Sequence, residues 1–262
     1  MTIAAIVITK NEESNINACL QALKFADEII VVDAQSIDKT AEIAKAAGAK
    51  VFVRPWPGYG AQKNFALQQI SSDWALFIDA DEIVTPQLAQ EIKNKTTNPT
   101  KNFYWLKIVT VFLNHPLYHL YGHNPRLFKK SSGQWTTTQV HEQVEEISSH
   151  TAIKLGDNKS AVLNAPLMHY SHQTVESYLA RMQTYTDLDA QDMATTNKHR
   201  SGRPVTPNNW LPMYLASRQF LKMYFYKKGF LDGYAGFVWC RLSATYEYIM
   251  AQKYLALKTK LS

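Results

Sequence analysis

The sequence predicts an α/β fold in which a mostly parallel sheet is flanked by helices and followed by a helical C-terminal extension. Short apolar runs alternate with helical patterns over the first hundred residues, polar clusters follow three of those runs, and aromatic and basic residues concentrate near the C-terminus. Strands separated by helices of about ten residues predict βαβ crossovers, which place neighbouring strands in parallel. With 262 residues and 46% hydrophobic content, the chain can bury one sizeable core and a smaller appendage.

The elements of the first hundred residues follow from hydrophobic periodicity and from breaker residues. Strands are predicted at residues 3–9, 28–32, 50–53 and 74–78, and helices from residue 16 and at 38–47, 61–70 and 86–95. Gly48 stands where a left-handed residue ends a helix. Residues 54–60 contain two prolines and two glycines, so a loop is expected there.

The later elements are a β-rich segment at residues 103–111 and three helices near 175–193, 212–226 and 238–257, the last two separated by a glycine-rich break at 229–236. We therefore divide the chain into an α/β domain at residues 1–170 and a helical region at 171–262. The α/β domain has two halves, at about 1–98 and at about 99–170.

Charge and cysteine content narrow the class of protein. Cys19 and Cys240 lie far apart, which argues against a disulfide framework or a zinc site. The N-terminus shows no signal-peptide pattern, and no apolar run reaches the length of a transmembrane helix.

Residues 198–262 carry a net charge of +9 and the preceding residues −3, and thirteen aromatic residues lie between Trp210 and Tyr254. This mixture suits an anionic membrane surface or a nucleic-acid backbone.

An apolar run at residues 74–78 ends abruptly in Asp79, Asp81 and Glu82. Residues i and i+2 of an extended chain point to the same side, so Asp79 and Asp81 can converge on one cation. Their hard oxygen ligands suit Mg²⁺ or Mn²⁺. The alternative is an acidic turn that leads into a helix.

The polar groups after three predicted strands favour a binding site over an acidic turn. Residues 9–12, Asp33 and residues 79–82 each follow a strand, and the carboxyl ends of parallel strands share one edge of the sheet. Neither a G-x-G-x-x-G after the first strand nor a phosphate loop is present in the sequence, so dinucleotide binders and P-loop enzymes are disfavoured.

Four segments together resemble a family 2 inverting glycosyltransferase with the GT-A fold, a Rossmann-like sheet flanked by helices. They are residues 7–12 (VITKNE), 30–40 (IVVDAQSIDKT), 62–66 (QKNFA) and 77–82 (FIDADE). A looser match to the branch that contains lipopolysaccharide core β-1,4-glucosyltransferases, the WaaE/KdtX-like proteins, rests on residues 140–142 (VHE), 168–172 (MHYSH), 202–203 (GR) and 229–233 (GFLDG).

The resemblance implies a nucleotide-sugar site with a divalent metal, Mg²⁺ or Mn²⁺, as cofactor. It makes residues 1–170 the catalytic domain, with a nucleotide-sugar half at about 1–98 and an acceptor half at about 99–170. By analogy, Thr9 and Asp33 hold the base, Glu12 and Asp79 the ribose region, and Asp81 the metal that bridges the diphosphate. Asn11 shares the first motif, and Lys63 adds a cation for the phosphates. The alternatives are that Lys63 is a solvated helix residue and that Glu12 caps a helix.

An inverting transfer needs a base that takes the proton of the acceptor hydroxyl, and Glu142 is the carboxylate we select. Glu145 and Glu146 are nearby competitors, but they match no motif of the family. His141 is expected to orient Glu142, to complete the metal shell or to be an ordinary, partly buried histidine. Arg126 contacts acceptor phosphate or an active-site loop, or else forms a structural ion pair. Arg203 is a further acceptor contact. His115, His119 and His123 have helical spacing, but Pro116 and Gly122 argue against a helical metal site.

The function expected is transfer of glucose from UDP-glucose to a heptose of the lipopolysaccharide inner core, by a peripheral protein on the cytoplasmic face of the bacterial inner membrane. The partners are the donor, a lipid-linked saccharide acceptor and an anionic membrane surface, and no nucleic acid is expected. The alternatives are a different donor or lipid-linked acceptor, a nucleotidyltransferase, or a non-enzymatic binding module. The C-terminal helices bind the membrane or pack their aromatic residues on the core.

Overall fold

The computed structural model describes residues 1–137, 142–171 and 174–261. Two compact units form within it: residues 1–109 with 122–169, and residues 110–121 with 170–262. The segment 110–121, which the sequence-based division placed in the catalytic domain, thus groups with the C-terminal helices.

The first unit contains four helices and most of the strands. The helices are α1 (Ile16–Ala22), α2 (Thr40–Ala46), α3 (Tyr59–Gln69) and α4 (Pro86–Thr97). The strands, with those that extend into residues 110–121, are β1 (Ile3–Thr9), β2 (Glu28–Asp33), β3 (Lys50–Val53), β4 (Trp74–Asp79), β5 (Glu82–Val84), β6 (Phe103–Phe112), β7 (His115–Pro116), β8 (Gly122–Lys129), β9 (Gly133–Trp135), β10 (Val144–Glu146), β11 (Thr151–Ala152) and β12 (Ser160–His169).

The main sheet has the strand order β3-β2-β1-β4-β8-β6-β12-β5, with β7 paired to β6. The four strands β3, β2, β1 and β4 are parallel, as the βαβ pattern predicts. The later strands extend the sheet in antiparallel pairings, among them β8 with β4 and β12 with β5. A separate three-stranded sheet has the order β11-β10-β9. The α/β class and the helical C-terminal extension are confirmed.

The parallel strands are apolar throughout because both of their faces are covered. In β1, Ala5 and Val7 pack into one core cluster, and Ala4 and Ile6 pack into the cluster on the opposite face. This is the burial expected of a central parallel strand, and it explains the unbroken apolar run at residues 3–8.

Local signals account for the helix ends. Thr85 caps α4, because its hydroxyl accepts a hydrogen bond from the backbone N–H of Leu88 at 3.2 Å, and Pro86 occupies the first helical position. Gly48 has a φ of 88°, so the left-handed residue predicted after α2 is present.

The second unit is built on α5 (Val175–Thr196), α6 (Leu211–Leu221) and α7 (Gly233–Leu261). Its core joins Met193 of α5, Leu215 of α6 and Tyr254 of α7. The helix predicted at 212–226 ends earlier: a π-helical turn, Lys222–Tyr226, and a short 3-10 helix, Gly229–Asp232, connect α6 to α7. No helix in the described ranges is both long enough and apolar enough to cross a bilayer.

Candidate functional site

The strand register brings the predicted polar clusters to one edge of the sheet. Thr9 pairs with Asp33 across β1 and β2, and Ile8 pairs with Asp79 across β1 and β4. Because the three strands are parallel and end together, these side chains share the carboxyl edge, where α/β sheets bind ligands.

Arg126 of β8 is the cationic centre of this edge. Its guanidinium donates to Asp79 Oδ1 at 3.2 Å and to Oδ2 at 2.5 Å, and to Glu82 Oε1 at 3.1 Å. Glu82 Oε2 in turn accepts the backbone N–H of Asp79 at 2.8 Å. Both Arg126 and Glu82 are buried. The geometry therefore favours the ion-pair alternative for Arg126, and Glu82 stabilises the turn after β4.

The charges of this cluster depend on one another. Burial opposes the ionisation of Asp79, but the charge and hydrogen bonds of Arg126 hold its pKa well below the usual range. Burial raises the pKa of Glu82 to about 7, against the opposing effect of Arg126. The pKa of Arg126 is raised despite its burial, because Asp79 and Glu82 stabilise its charge. Asp79 and Arg126 thus form a permanent ion pair.

Asp81 faces a different partner, His169 at the end of β12. His169 Nε2 lies 3.4 Å from Asp81 Oδ2. This contact follows from the antiparallel pairing of β12 with β5, which sets His169 opposite Glu82. Burial would lower the pKa of His169, but the hydrogen bond to Asp81 and the nearby carboxylates raise it.

The donor set at this position suits a divalent metal. A carboxylate oxygen and an imidazole nitrogen are suitable ligands for Mn²⁺, and a carboxylate suits Mg²⁺. Within the part of the chain that the structure describes, no three His, Cys, Asp or Glu side chains are grouped for metal binding. Asp81 and His169 could supply two ligands to an ion, which would need its remaining ligands from another source.

Hydrogen bonds order the loops after β1 and β2 into a rim beside this edge. Asn11 has a φ of 55°, and its side-chain oxygen accepts the backbone N–H of Ile37 at 2.9 Å. The backbone N–H of Glu12 donates to the Thr40 hydroxyl at 2.8 Å. Asp33 accepts both the backbone N–H of Ser36, at 2.9 Å, and its hydroxyl. The loops after β1 and β2 are therefore joined by hydrogen bonds that involve the predicted residues Asn11 and Glu12.

Lys63 and Glu142 form a second charged pair. Lys63 Nζ lies 2.7 Å from Glu142 Oε1, and both side chains are largely shielded from solvent. The ammonium also lies 4.1 Å from the ring centroid of Trp135. Burial, together with the charge of Arg126, lowers the pKa of Lys63, which the carboxylates Asp79 and Glu142 oppose. Lys63 is thus not a solvated helix residue.

Helix α3 holds the segment that leads to Glu142. The amide of Asn64 donates to the backbone oxygen of Trp135 at 2.7 Å and accepts the Trp135 backbone N–H at 2.9 Å. A Cβ on Gly60 would lie 1.9 Å from the backbone oxygen of Thr136, so only glycine permits this approach. The QKN motif therefore positions the strand before Glu142 as well as supplying Lys63.

Other predicted residues lie elsewhere. His141 falls outside the described residues. Arg203 is exposed in the second unit, where its backbone oxygen accepts the backbone N–H of His199 at 2.8 Å. The histidines at 115, 119 and 123 do not share a helix: His119 bonds Asp232 through Nδ1 at 2.8 Å, and the other two lie in β7 and β8.

Sequence reasoning did not single out His169 or the binding of Asp79 by Arg126. The signal for His169 was its position in a family-like segment after a long β-prone run. Its partner, however, follows only from the pairing of β12 with β5.

The chain is similar to known glycosyltransferases in sequence and to a solved structure in fold. Residues 4–149 match the family model described as Glycosyl transferase family 2. An uncharacterized glycosyltransferase of Rickettsia bellii is 32% identical over 244 residues, which cover 90% of this chain and 80% of the relative. The lipopolysaccharide core biosynthesis glycosyltransferase LpsC of Rhizobium meliloti is 25% identical over 268 residues, covering 97% of this chain and 92% of the relative. The crystal structure of S. aureus TarS is similar in fold, with a TM-score of 0.51 at 16% identity over 97% of this chain and 55% of that one.

Proposed function

Because this chain belongs to Glycosyl transferase family 2, we propose that it is a metal-dependent inverting enzyme that moves glucose from UDP-glucose onto a heptose of the lipopolysaccharide inner core. The observation that carries the proposal is the meeting of Asp81 and His169 at the carboxyl edge of the sheet. The similarity to LpsC over nearly the whole chain supports the acceptor class. The WaaE/KdtX-like branch accounts for the choice of glucose and heptose.

The donor's nucleoside is assigned to the ends of β1 and β2. The Thr9 hydroxyl is buried and has no hydrogen-bond partner among the described residues, and the same holds for both polar atoms of the Gln62 amide. Unsatisfied buried polar groups are costly, so a bound ligand is a good explanation for them. We assign Thr9 and Asp33 to the base, and Asn11, Glu12 and Asp79 to the ribose region.

The diphosphate is assigned to the neighbourhood of Asp81. A divalent ion held by Asp81 and His169 would supply positive charge to the leaving diphosphate. Lys63 adds a fixed ammonium group, and its burial strengthens its interaction with phosphate oxygens. Asp79 is bound by Arg126, so it serves the donor as a positioned acceptor and not as a metal ligand.

Glu142 is assigned as the general base. In the transfer, the Glu142 carboxylate takes the proton of the acceptor hydroxyl while that oxygen forms a bond to the anomeric carbon. The bond between the anomeric carbon and the phosphate oxygen breaks on the opposite face, and UDP leaves with the electron pair. Lys63 holds Glu142 at 2.7 Å, so one cation orients the base and contacts the donor.

The domain assignment follows the same chemistry. Residues 1–98 serve the nucleotide sugar, residues 99–170 the acceptor saccharide, and residues 171–262 the anionic surface in which a lipid-linked acceptor lies. We accordingly propose that the protein acts at the inner face of the bacterial inner membrane, with Arg203 as a contact for acceptor phosphate.

A panel of nucleotide sugars tests this proposal. The purified protein is assayed with Mg²⁺ or Mn²⁺ for release of UDP, GDP or pyrophosphate, with and without a heptose-containing core acceptor. We expect UDP release from UDP-glucose that depends on the metal. Turnover of a different nucleotide sugar would replace the donor, and pyrophosphate release would indicate a nucleotidyltransferase.

The variant Glu142→Gln tests the base. It is expected to bind UDP as the wild type does while transfer falls by about 10²–10⁴-fold, the usual contribution of general base catalysis. Glu145→Gln is the matched control, because Glu145 bonds Gln134 in the small sheet and belongs to none of the assigned groups. Wild-type turnover in Glu142→Gln would refute the assignment.

A further inference from the structure

We propose that residues 221–234, here called the docking turn, insert aromatic side chains into the interface of an anionic lipid bilayer. The docking turn connects α6 to α7 and comprises the last residue of α6, the π-helical turn, the 3-10 helix and the start of α7. The inference rests on the proposed function for its purpose, because a lipid-linked acceptor is presented at such a surface. The structural evidence for it comes from the docking turn itself and not from the residues at the carboxyl edge of the sheet.

The docking turn exposes an unusual amount of apolar surface. Six of its large side chains are between 45% and 83% exposed: Leu221, Phe225, Tyr226, Phe230, Leu231 and Tyr234. Two of the exposed rings meet through a third, because the rings of Phe225 and Phe230 lie 5.1 and 6.1 Å from the ring of Tyr224 between them. Isolated exposed apolar residues are ordinary, but a contiguous patch marks an interaction surface.

The exposed rings stand on a rigid base. Phe220 stacks on Tyr224 with ring centroids 5.2 Å apart. A Cβ on Gly236 would lie 2.2 Å from the backbone oxygen of Gly229, so the 3-10 helix is packed against α7. Asp232 is buried and bonds the backbone and ring of His119. The turn is thus ordered before it meets a partner, which reduces the entropic cost of binding.

The charge around the rings indicates an anionic partner. Lys222, Lys227 and Lys228 are exposed, and none of them has an ion pair in the described part of the chain. The single carboxylate of the turn, Asp232, is buried. Uncompensated lysines beside exposed aromatic rings favour anionic lipid headgroups over a neutral surface.

An open groove extends the apolar surface along the helices. It has a volume of about 470 Å³ and is lined by Ala216, Ser217, Phe220, Leu221 and Ala244. Leu221 belongs to both the groove and the docking turn, so the groove continues the patch. An apolar groove beside lysines matches the two parts of a phospholipid, an acyl chain and a phosphate.

Vesicle flotation tests the inference with the full chain and without donor or acceptor. The probes are vesicles of phosphatidylethanolamine with phosphatidylglycerol, and vesicles of phosphatidylcholine alone. We expect binding to the anionic vesicles that weakens in high salt. Lys222→Gln, Lys227→Gln and Lys228→Gln together should lower the partition coefficient on the order of 100-fold, at about five-fold for each lysine.

Matched variants separate the docking turn from general effects. Lys24→Gln, Lys45→Gln and Lys93→Gln remove the same charge from exposed lysines of the first unit and should leave binding unchanged. The triple variant Phe225→Ser, Tyr226→Ser and Tyr234→Ser should weaken binding more than about tenfold. Tyr185→Ser with Leu188→Ser, on residues of α5 that are 51% and 50% exposed, is its control and should bind as the wild type does.

Three results would overturn the inference: a wild-type protein that does not float with anionic vesicles, docking-turn variants that bind as their controls do, or a wild-type dimer in sedimentation that the aromatic variant dissociates. The last result would make a second copy of the chain the partner. If the aromatic variant does not fold, the lysine variant decides alone, because its side chains are exposed. UDP release measured without vesicles distinguishes failure of this inference from failure of the proposed function.

Discussion

Replacement of Arg126 by methionine tests how the charged groups at the carboxyl edge of the sheet stabilise one another. Methionine keeps much of the volume of the side chain but removes the guanidinium, which now donates three hydrogen bonds to Asp79 and Glu82. Two carboxylates are then left without their cation. Glu82 is the more vulnerable of the two, because its side chain is 1% exposed.

The magnitude follows from the burial of each partner. Removing one member of a buried ion pair costs about 3–5 kcal/mol. The Asp79 side chain is 40% exposed and can be partly solvated, and Glu82, with a pKa of about 7, can take up a proton near neutral pH. Both effects place the expected loss near the lower limit, about 3 kcal/mol. For a unit of this size that corresponds to a fall in Tm of about 6–12 °C.

Urea unfolding and thermal scans of the full chain measure this loss. Lys93→Met, at an exposed lysine on α4, is the control and should change the free energy of unfolding by less than about 0.5 kcal/mol. Adding Glu82→Gln to Arg126→Met should recover part of the loss, because one uncompensated carboxylate is removed. An Arg126→Met protein within 1 kcal/mol of the wild type, or a double variant with no recovery, would refute the reasoning.

Three other predictions concern the Asp81–His169 contact, the Lys63–Glu142 pair and Glu247. Asp81→Asn and His169→Gln should each weaken the binding of Mn²⁺ in the presence of UDP at least about tenfold, measured by calorimetry. The control is Asp192→Asn, on an exposed residue of α5, which should bind Mn²⁺ as the wild type does. Unchanged affinity in both Asp81→Asn and His169→Gln would place the ion elsewhere. Lys63→Met should raise the KM for the donor and also lower kcat, because the ammonium holds the base; a change in KM alone would separate the two roles. Burial opposes the ionisation of Glu247, but His199 and Arg200 lower the pKa of this carboxyl group. Ionised Glu247 therefore stabilises the fold above about pH 4.5, and this stabilisation is lost as the pH falls through the lowered pKa. Glu247→Gln should therefore lower the free energy of unfolding in urea by about 2–3 kcal/mol at pH 7, and by less near pH 3. A difference that is the same at both pH values would contradict this role of Glu247.

The parallel half of the sheet could be predicted from the sequence because its information is local. Each strand is an apolar run covered on both faces, each is bounded by a helix, and the crossover rule fixes their direction. The observed β1 and β3 have the predicted bounds, and β4 differs from its prediction by one residue. The shared edge of Thr9, Asp33 and Asp79 follows from that direction alone.

The antiparallel half could not be predicted in the same way, because no local pattern states which strands pair. Arg126 reaches Asp79 only because β8 lies beside β4, and His169 reaches Asp81 only because β12 returns beside β5. The end of α6 is similar: a helical pattern continues to Tyr226, but the turn that follows packs Gly229 against Leu120, far away in the chain, where a Cβ on Gly229 would lie 3.0 Å from Leu120 Cδ2.

The partners of Asp79 and Asp81 are the reason why the proposed function gives two carboxylates of one short motif different roles. Strand alternation makes them equivalent, since both can point to one side of the chain. Their partners make them different, because Asp79 holds a permanent cation and Asp81 meets an imidazole that can lose its proton. A metal ion at Asp79 would have to displace Arg126 and leave a buried guanidinium without a counter-charge, at a cost of several kcal/mol. A metal ion at Asp81 would displace only a proton from His169, which is why the proposed function assigns the ion to Asp81 and leaves Asp79 to the nucleotide.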